Sequence, residues 1–146
     1  MWINLWKLWI PLSSWFAAIV HVRRPHAKIE PMDDGAGVTQ ADVTGLPQSF
    51  QAPAATLLDV REHDEWQRGH APDALHIPMG EVPSRLDELD RDGQLYVICH
   101  VGGRSQRVAQ FLHANGYPAV NVSGGMLAWA AAGRPVITDD GRPGTV

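Results

Sequence analysis

The chain has 146 residues, 45% of them hydrophobic and 19% charged, which is the make-up of one globular domain with an adequate core and lies well away from a disordered composition. Its single cysteine excludes an internal disulfide and agrees with a reducing compartment. Residues 1–31 hold four basic residues against one acid, whereas residues 32–146 hold eight arginines, no lysine and fifteen acids; such a domain is expected to bind no nucleic acid and to perform no Schiff-base chemistry.

The first segment, residues 1–31, stands apart. Four of the six tryptophans fall in its first 15 residues, and residues 8–20 carry no charge. A membrane span needs about 20 apolar residues, and residues 1–22, with Lys7 near one end, are just long enough. Trp2, Trp6 and Trp9 share one helical face, which would also suit an interfacial helix, while Pro11 would end or kink it. A cleaved signal peptide fits less well, because only Lys7 supplies a positive start and no small-x-small site follows cleanly. Two readings stand side by side. Residues 1–31 are a membrane anchor, with the basic residues just after the span favouring a cytoplasmic domain, or they are an artefact of start-site choice, since Met32 marks the compositional break. Membrane association is expected only through residues 1–22, and the domain itself is expected in the cytoplasm.

A domain is expected over residues 32–136. Its first strand candidate is Val38–Val43. "TLLDV" (56–60) is apolar enough for a buried strand, "EHDEWQRG" (62–69) reads as a short helix, and "ALHIP" (74–78) as a second brief strand. In "EVPSRLDELD" (81–90), Val82, Leu86 and Leu89 form a helical stripe. "LYVIC" (95–99) is continuously apolar, as a central parallel strand should be. The next helix has Val108, Phe111 and Leu112 on one face and Gly116 as its stop. "AVNVS" (119–123) is a strand and "GGMLAWAAAG" (124–133) the last helix. This alternation predicts an α/β fold: a small open parallel β-sheet with helices on both faces. Residues 137–146 are expected to form a mobile C-terminal tail.

Cys99 ends the strongest strand and is followed by "HVGGRS" and a helix. In an open parallel sheet, ligands sit beyond the C-terminal ends of the strands. A loop turning there into a helix directs backbone N–H groups inward, and the helix N-terminus adds partial positive charge. Gly102 and Gly103 suit the backbone angles and close approach of such a nest, and a thiol placed in it should be reactive as thiolate. A strand-end cysteine taken alone is more often packing than chemistry. The two glycines, Arg104 and the helix start favour a nucleophile.

At this point the chain resembles the rhodanese-like (sulfurtransferase) domains. "LLDVREHDEWQRGHAPDALHIP" is similar to the family's upstream signature, "YVICHVGGRS" to its active-site loop, and "VSGGMLAWAAAGRPV" to its closing signature. The resemblance runs from about residue 56 to 136 and leaves residues 1–31 outside. It implies that Cys99 accepts sulfane sulfur from thiosulfate or a persulfide donor, carries it as a persulfide, and yields it to a thiol or protein acceptor. The sulfur is then carried covalently, and no separate cofactor is expected. His100, Val101, Gly102 and Gly103 would supply the loop, Arg104 would brace it or bind an anionic donor, and Ser105 would contribute an N–H or hydroxyl. Asp59, Arg61 and Glu65 would brace the loop, with Glu65 reaching Arg104.

Loop length separates sulfur from phosphate chemistry. Related phosphatases and arsenate reductases keep five residues between cysteine and arginine, whereas four separate Cys99 from Arg104. The shorter ring suits a sulfur atom better than a tetrahedral oxyanion. His100 and Val101 stand where many active family members carry basic residues, so thiosulfate is expected to be a poor donor. The lone thiol requires an external acceptor. His63, His70 and His76 match no common metal-ligand spacing, so no metal is expected; His70 and His76 are expected to satisfy backbone groups, and Trp66 and Trp129 to be core aromatics. The alternative from another class is a non-enzymatic module that uses the same fold to bind or regulate a partner.

Overall fold

The computed structural model describes residues 37–146, and the anchor and artefact readings of residues 1–31 lie outside the described residues. Five strands form one parallel sheet: β1 Gln40–Ala41, β2 Ala55–Asp59, β3 Leu75–His76, β4 Gln94–Ile98 and β5 Ala119–Val122. Their order is β1-β5-β4-β2-β3, so β4 is central, with β2 and β5 hydrogen-bonded on either side. Among the described residues three α-helices complete the fold: α1 His63–Arg68, α2 Gly103–Ala114 and α3 Gly125–Ala131.

The uninterrupted apolar run of β4 follows from cover on both faces. Leu95 and Val97 point with Leu58 and Val60 into one core, closed by Val108, Ala109 and Leu112 of α2. Ile98 points with Leu57 and Val122 into the other, closed by Met126 and Trp129 of α3. The α/β fold with helices on both faces is therefore the observed one. Among the described residues no helix is long and apolar enough to cross a membrane.

Two segments differ from expectation. The stripe at 81–90 is two short 3-10 turns, Val82–Ser84 and Leu86–Glu88, and not one helix. Between them Arg85 leaves the helical region, at φ −121° and ψ 25°, and its guanidinium bridges Glu81 at 2.9 Å and Glu88 at 2.6 Å. Val82 and Leu89 are buried all the same, with Leu86 packed on that core, so the periodicity reported a buried face and not a continuous helix.

The C-terminal residues are docked and do not trail from the domain. Ile137 pairs with His70 through two backbone bonds of 2.8 and 2.9 Å, and Thr145 N–H donates to the Arg68 carbonyl at 2.9 Å. Gly69 makes this closeness feasible, since a Cβ there would lie 2.6 Å from the Thr145 nitrogen. Residues 137–146 thus form a strap over the C-terminal end of α1.

Candidate active site

The chain leaves β4 at Cys99, and α2 begins at Gly103. One connection from the central pair runs outward to β3 and the other to β5, which puts Cys99 at the switch point where open α/β sheets bind ligands. Cys99 is 1% exposed, so its sulfur lies at the floor of the loop.

The loop closes on that sulfur. Gly102 N–H donates to Cys99 Sγ at 3.1 Å, and Ser105 Oγ lies 3.3 Å from Sγ and 3.1 Å from the Gly102 carbonyl. Gly102 has φ +105°, a left-handed conformation that favours glycine. Burial pushes the Cys99 thiol up, but hydrogen bonds from the Ser105 hydroxyl and from the N–H groups of Ser105, Gly102 and Val101 outweigh it, leaving the thiol below its ordinary range. Gly103 behaves otherwise than expected. It is simply the first residue of α2, and a Cβ there would meet open space.

The glycine that close approach does require is Gly125, at φ +57°. A Cβ on Gly125 would collide with the Cys99 carbonyl oxygen and lie 2.6 Å from the His100 carbonyl carbon. The same turn brings two amides of α3 onto the loop: Met126 N–H donates to the Cys99 carbonyl at 2.8 Å, and Leu127 N–H to the His100 carbonyl at 3.1 Å. Reasoning from sequence missed these positions. The available signal was the Gly-Gly pair placed directly between a strand and a helix.

Arg104 is clamped. Its two terminal nitrogens reach the Glu65 carboxylate at 2.6 and 2.7 Å, the fork geometry that makes arginine–carboxylate pairs strong and directional. The Arg104 hydrogen bond, opposed by partial burial, takes the Glu65 carboxyl down to about 2. Bonding to Glu65 in turn pushes Arg104 up against the effect of burial, and the charge on Cys99 adds to that shift. Of the two roles expected for Arg104, the geometry is that of a brace. Glu65 also accepts from the Glu62 N–H at 3.0 Å, which anchors the start of α1.

Asp59 and Arg61 hold each other and do not hydrogen-bond to the cysteine loop. Arg61, 1% exposed, donates to Asp59 at 2.7 Å and to the Gly69 carbonyl at 2.8 Å, and so ties the end of β2 to the end of α1. Their bracing is indirect, through the helix that carries Glu65. His100 is half-buried and lines a cavity of about 310 Å³ with Arg61, Glu65, Arg68 and Val146.

Behind α1 lies a stack of rings. Trp66 is sandwiched between His70 at 3.6 Å and His76 at 4.5 Å, both nearly parallel to it. Asp139 of the strap accepts from Trp66 Nε1 and lies against His70 Nε2, both at 3.1 Å, and His76 Nε2 contacts the Arg61 carbonyl at 2.8 Å. Trp129 is a core residue as expected. Trp66 is only half-buried, and its packing is this stack and not the core.

Comparison with known proteins agrees with this architecture. The Rhodanese-like domain family model matches residues 42–132. A sulfurtransferase of Allochromatium vinosum is 37% identical over 106 residues, covering 71% of this chain and 99% of that protein. The crystal structure of a rhodanese-related protein from Thermoplasma volcanium superposes with a TM-score of 0.63 at 33% identity, over 69% of this chain and 99% of that one. A NAD-dependent persulfide reductase from A. fulgidus aligns at 31% identity with a TM-score of 0.51, over 63% of this chain and 16% of the reductase.

Proposed function

The chain belongs to the rhodanese-like domain family, and from that premise we propose that it is a sulfurtransferase whose Cys99 carries sulfane sulfur as a persulfide. One observation carries the reading. The sole cysteine ends the central strand with its sulfur ringed by the Gly102 N–H and the Ser105 hydroxyl, and the loop's arginine is locked by Glu65.

In this reading the Cys99 thiolate attacks the outer sulfur of the donor. The donor's S–S bond breaks, and its electron pair leaves on sulfite, when thiosulfate is the donor, or on a thiolate, when a persulfide is. The new terminal sulfur is a soft anion, and inward-facing N–H groups stabilise it as an oxyanion hole stabilises oxygen. An external nucleophile, a thiol or cyanide, then takes that sulfur, and Cys99 departs again as thiolate. No second cysteine exists to release it as a disulfide.

Incubation with thiosulfate or a persulfide donor should add the mass of one sulfur atom to the intact protein, and cyanide or dithiothreitol should remove it. Absence of the adduct with several donors, or an unchanged adduct in Cys99→Ser, rejects persulfide chemistry and favours the non-enzymatic partner-binding module.

A further inference from the structure

Among the described residues, three large hydrophobic side chains are exposed: Val101 at 58%, Leu127 at 45% and Val146 at 36%. Single exposed hydrophobics are ordinary. These three share one place. Val101 lies in the cysteine loop itself; Leu127 follows the α3 start whose amides bond the Cys99 and His100 carbonyls; Val146 lines the same small cavity as His100 and Glu65. They gather at His100, the residue directly after Cys99: Val101 follows it in the chain, Leu127 N–H bonds its carbonyl, and Val146 shares its cavity.

The charges around that cavity are already committed. Arg104 is held by Glu65, Arg61 by Asp59 and the Gly69 carbonyl, and Arg68 by Asp64 at 3.0 Å. A small dianion arriving here meets three paired guanidiniums on a domain with an acidic excess. The sulfur is almost fully covered, and a donor sulfur carried on a projecting side chain is one that can reach it. An apolar, acid-free segment around a cysteine matches a rim of this kind, because its neighbours bury hydrophobic surface while its sulfur reaches the floor.

We propose that Val101, Leu127 and Val146 are a docking rim for a partner protein's persulfide-bearing segment, one with apolar and no acidic residues beside its cysteine. The inference rests on the sulfur-carrier reading of Cys99 and deepens it by naming the donor's chemistry. The partner's outer sulfur bonds to Cys99 Sγ, the partner's S–S bond breaks, and the partner's cysteine leaves with the electron pair as a thiolate. Atoms and charge balance without any oxidant or reductant.

The test uses the full chain with four donors: a peptide persulfide with leucine and valine beside its cysteine, the same peptide with aspartate in those places, a low-molecular-weight persulfide, and thiosulfate. The apolar peptide should show the lowest KM, with kcat/KM above that of the aspartate peptide by on the order of tenfold or more. Leu127→Ser, checked for an unchanged thermal melt, should raise KM for the apolar peptide several-fold with little change in kcat, and Val101→Ser should narrow the gap between the two peptides. Equal kcat/KM for the two peptides, a small persulfide that saturates as tightly as the apolar peptide, or an unchanged KM in Leu127→Ser overturns the docking rim. Failure of every donor to load Cys99 overturns the sulfurtransferase reading beneath it, and loading by small donors with no peptide preference overturns the rim alone.

Discussion

Among the described residues, the hydrogen bonds to the Cys99 sulfur come from within six positions of it, from the N–H groups of Val101, Gly102 and Ser105 and from the Ser105 hydroxyl. The shoulder holding this loop is assembled over far longer spans. Glu65 reaches Arg104 across 39 positions, and Asp139 reaches Trp66 across 73. The first region is backbone shaped by a strand end and a helix start. The second is side chains brought together by the finished sheet. Damage to the ring should therefore remove chemistry, and damage to the shoulder should mainly loosen the ring and lower stability.

The largest expected effect breaks the ring from within. Cys99→Ser should abolish both the sulfur adduct and turnover while leaving the melt nearly unchanged, read by intact mass and calorimetry. Next is Gly125→Ala, which forces a side chain into a left-handed position against the Cys99 carbonyl. Denaturant titration should show a loss of about 2–4 kcal/mol, accompanied by slower sulfur loading. A variant as stable and active as the parent would mean that α3 does not press on the loop.

Glu65→Gln tests the shoulder. The paired guanidinium loses its counter-charge, at a cost of about 1–3 kcal/mol. Sulfur loading should slow while the adduct still forms. The acid limb supplies a sharper reading. The Glu65 carboxyl is lowered from 4.5 to about 2 in the folded chain, so its contribution is complete above pH 4.5 and is lost as pH falls toward 2. The parent's stability should therefore drop more steeply than that of Glu65→Gln across this window, measured by chemical denaturation at several pH values.

Ser105→Ala should act on the ring more gently. Its hydroxyl is the strongest of the groups lowering the Cys99 thiol, so its removal should move the rise of the loading rate with pH toward higher pH. The smallest effect is expected from Asp139→Asn, at an exposed residue of the strap: a slight fall in Tm and faster proteolysis within residues 137–146, with loading by thiosulfate retained.

Legibility in the sequence follows the same division. The strands, the α2 stripe of Val108 and Leu112, and the order strand, cysteine, glycines, helix were readable because each depends on neighbouring residues. The stripe of Val82, Leu86 and Leu89 was readable as buried but not as turns, since periodicity records which side chains face the core and not whether the backbone stays helical at Arg85. Gly103 looked necessary from its place in the loop, whereas Gly125 is the residue against which the loop packs, and only a second strand–helix junction laid beside the first reveals that. Asp59 and Arg61 were expected to brace the loop; they make no hydrogen bond to it and tie β2 to the end of α1. The strap read as a tail because its contacts to His70, Arg68 and Trp66 leave no local periodic signal.

Sequence by itself determined the α/β class, the central strand and a cysteine at a strand-to-helix turn, because apolar runs, glycine pairs and ring length are local properties of the chain. Tertiary structure alone decided that Arg104 braces the loop and does not stand free, that α3 caps the cysteine's carbonyl, and that Leu127 and Val146 come to His100 beside Val101. Those outcomes depend on which strand ends the parallel sheet sets side by side, and packing of both faces, not the spacing of residues along the chain, makes that choice.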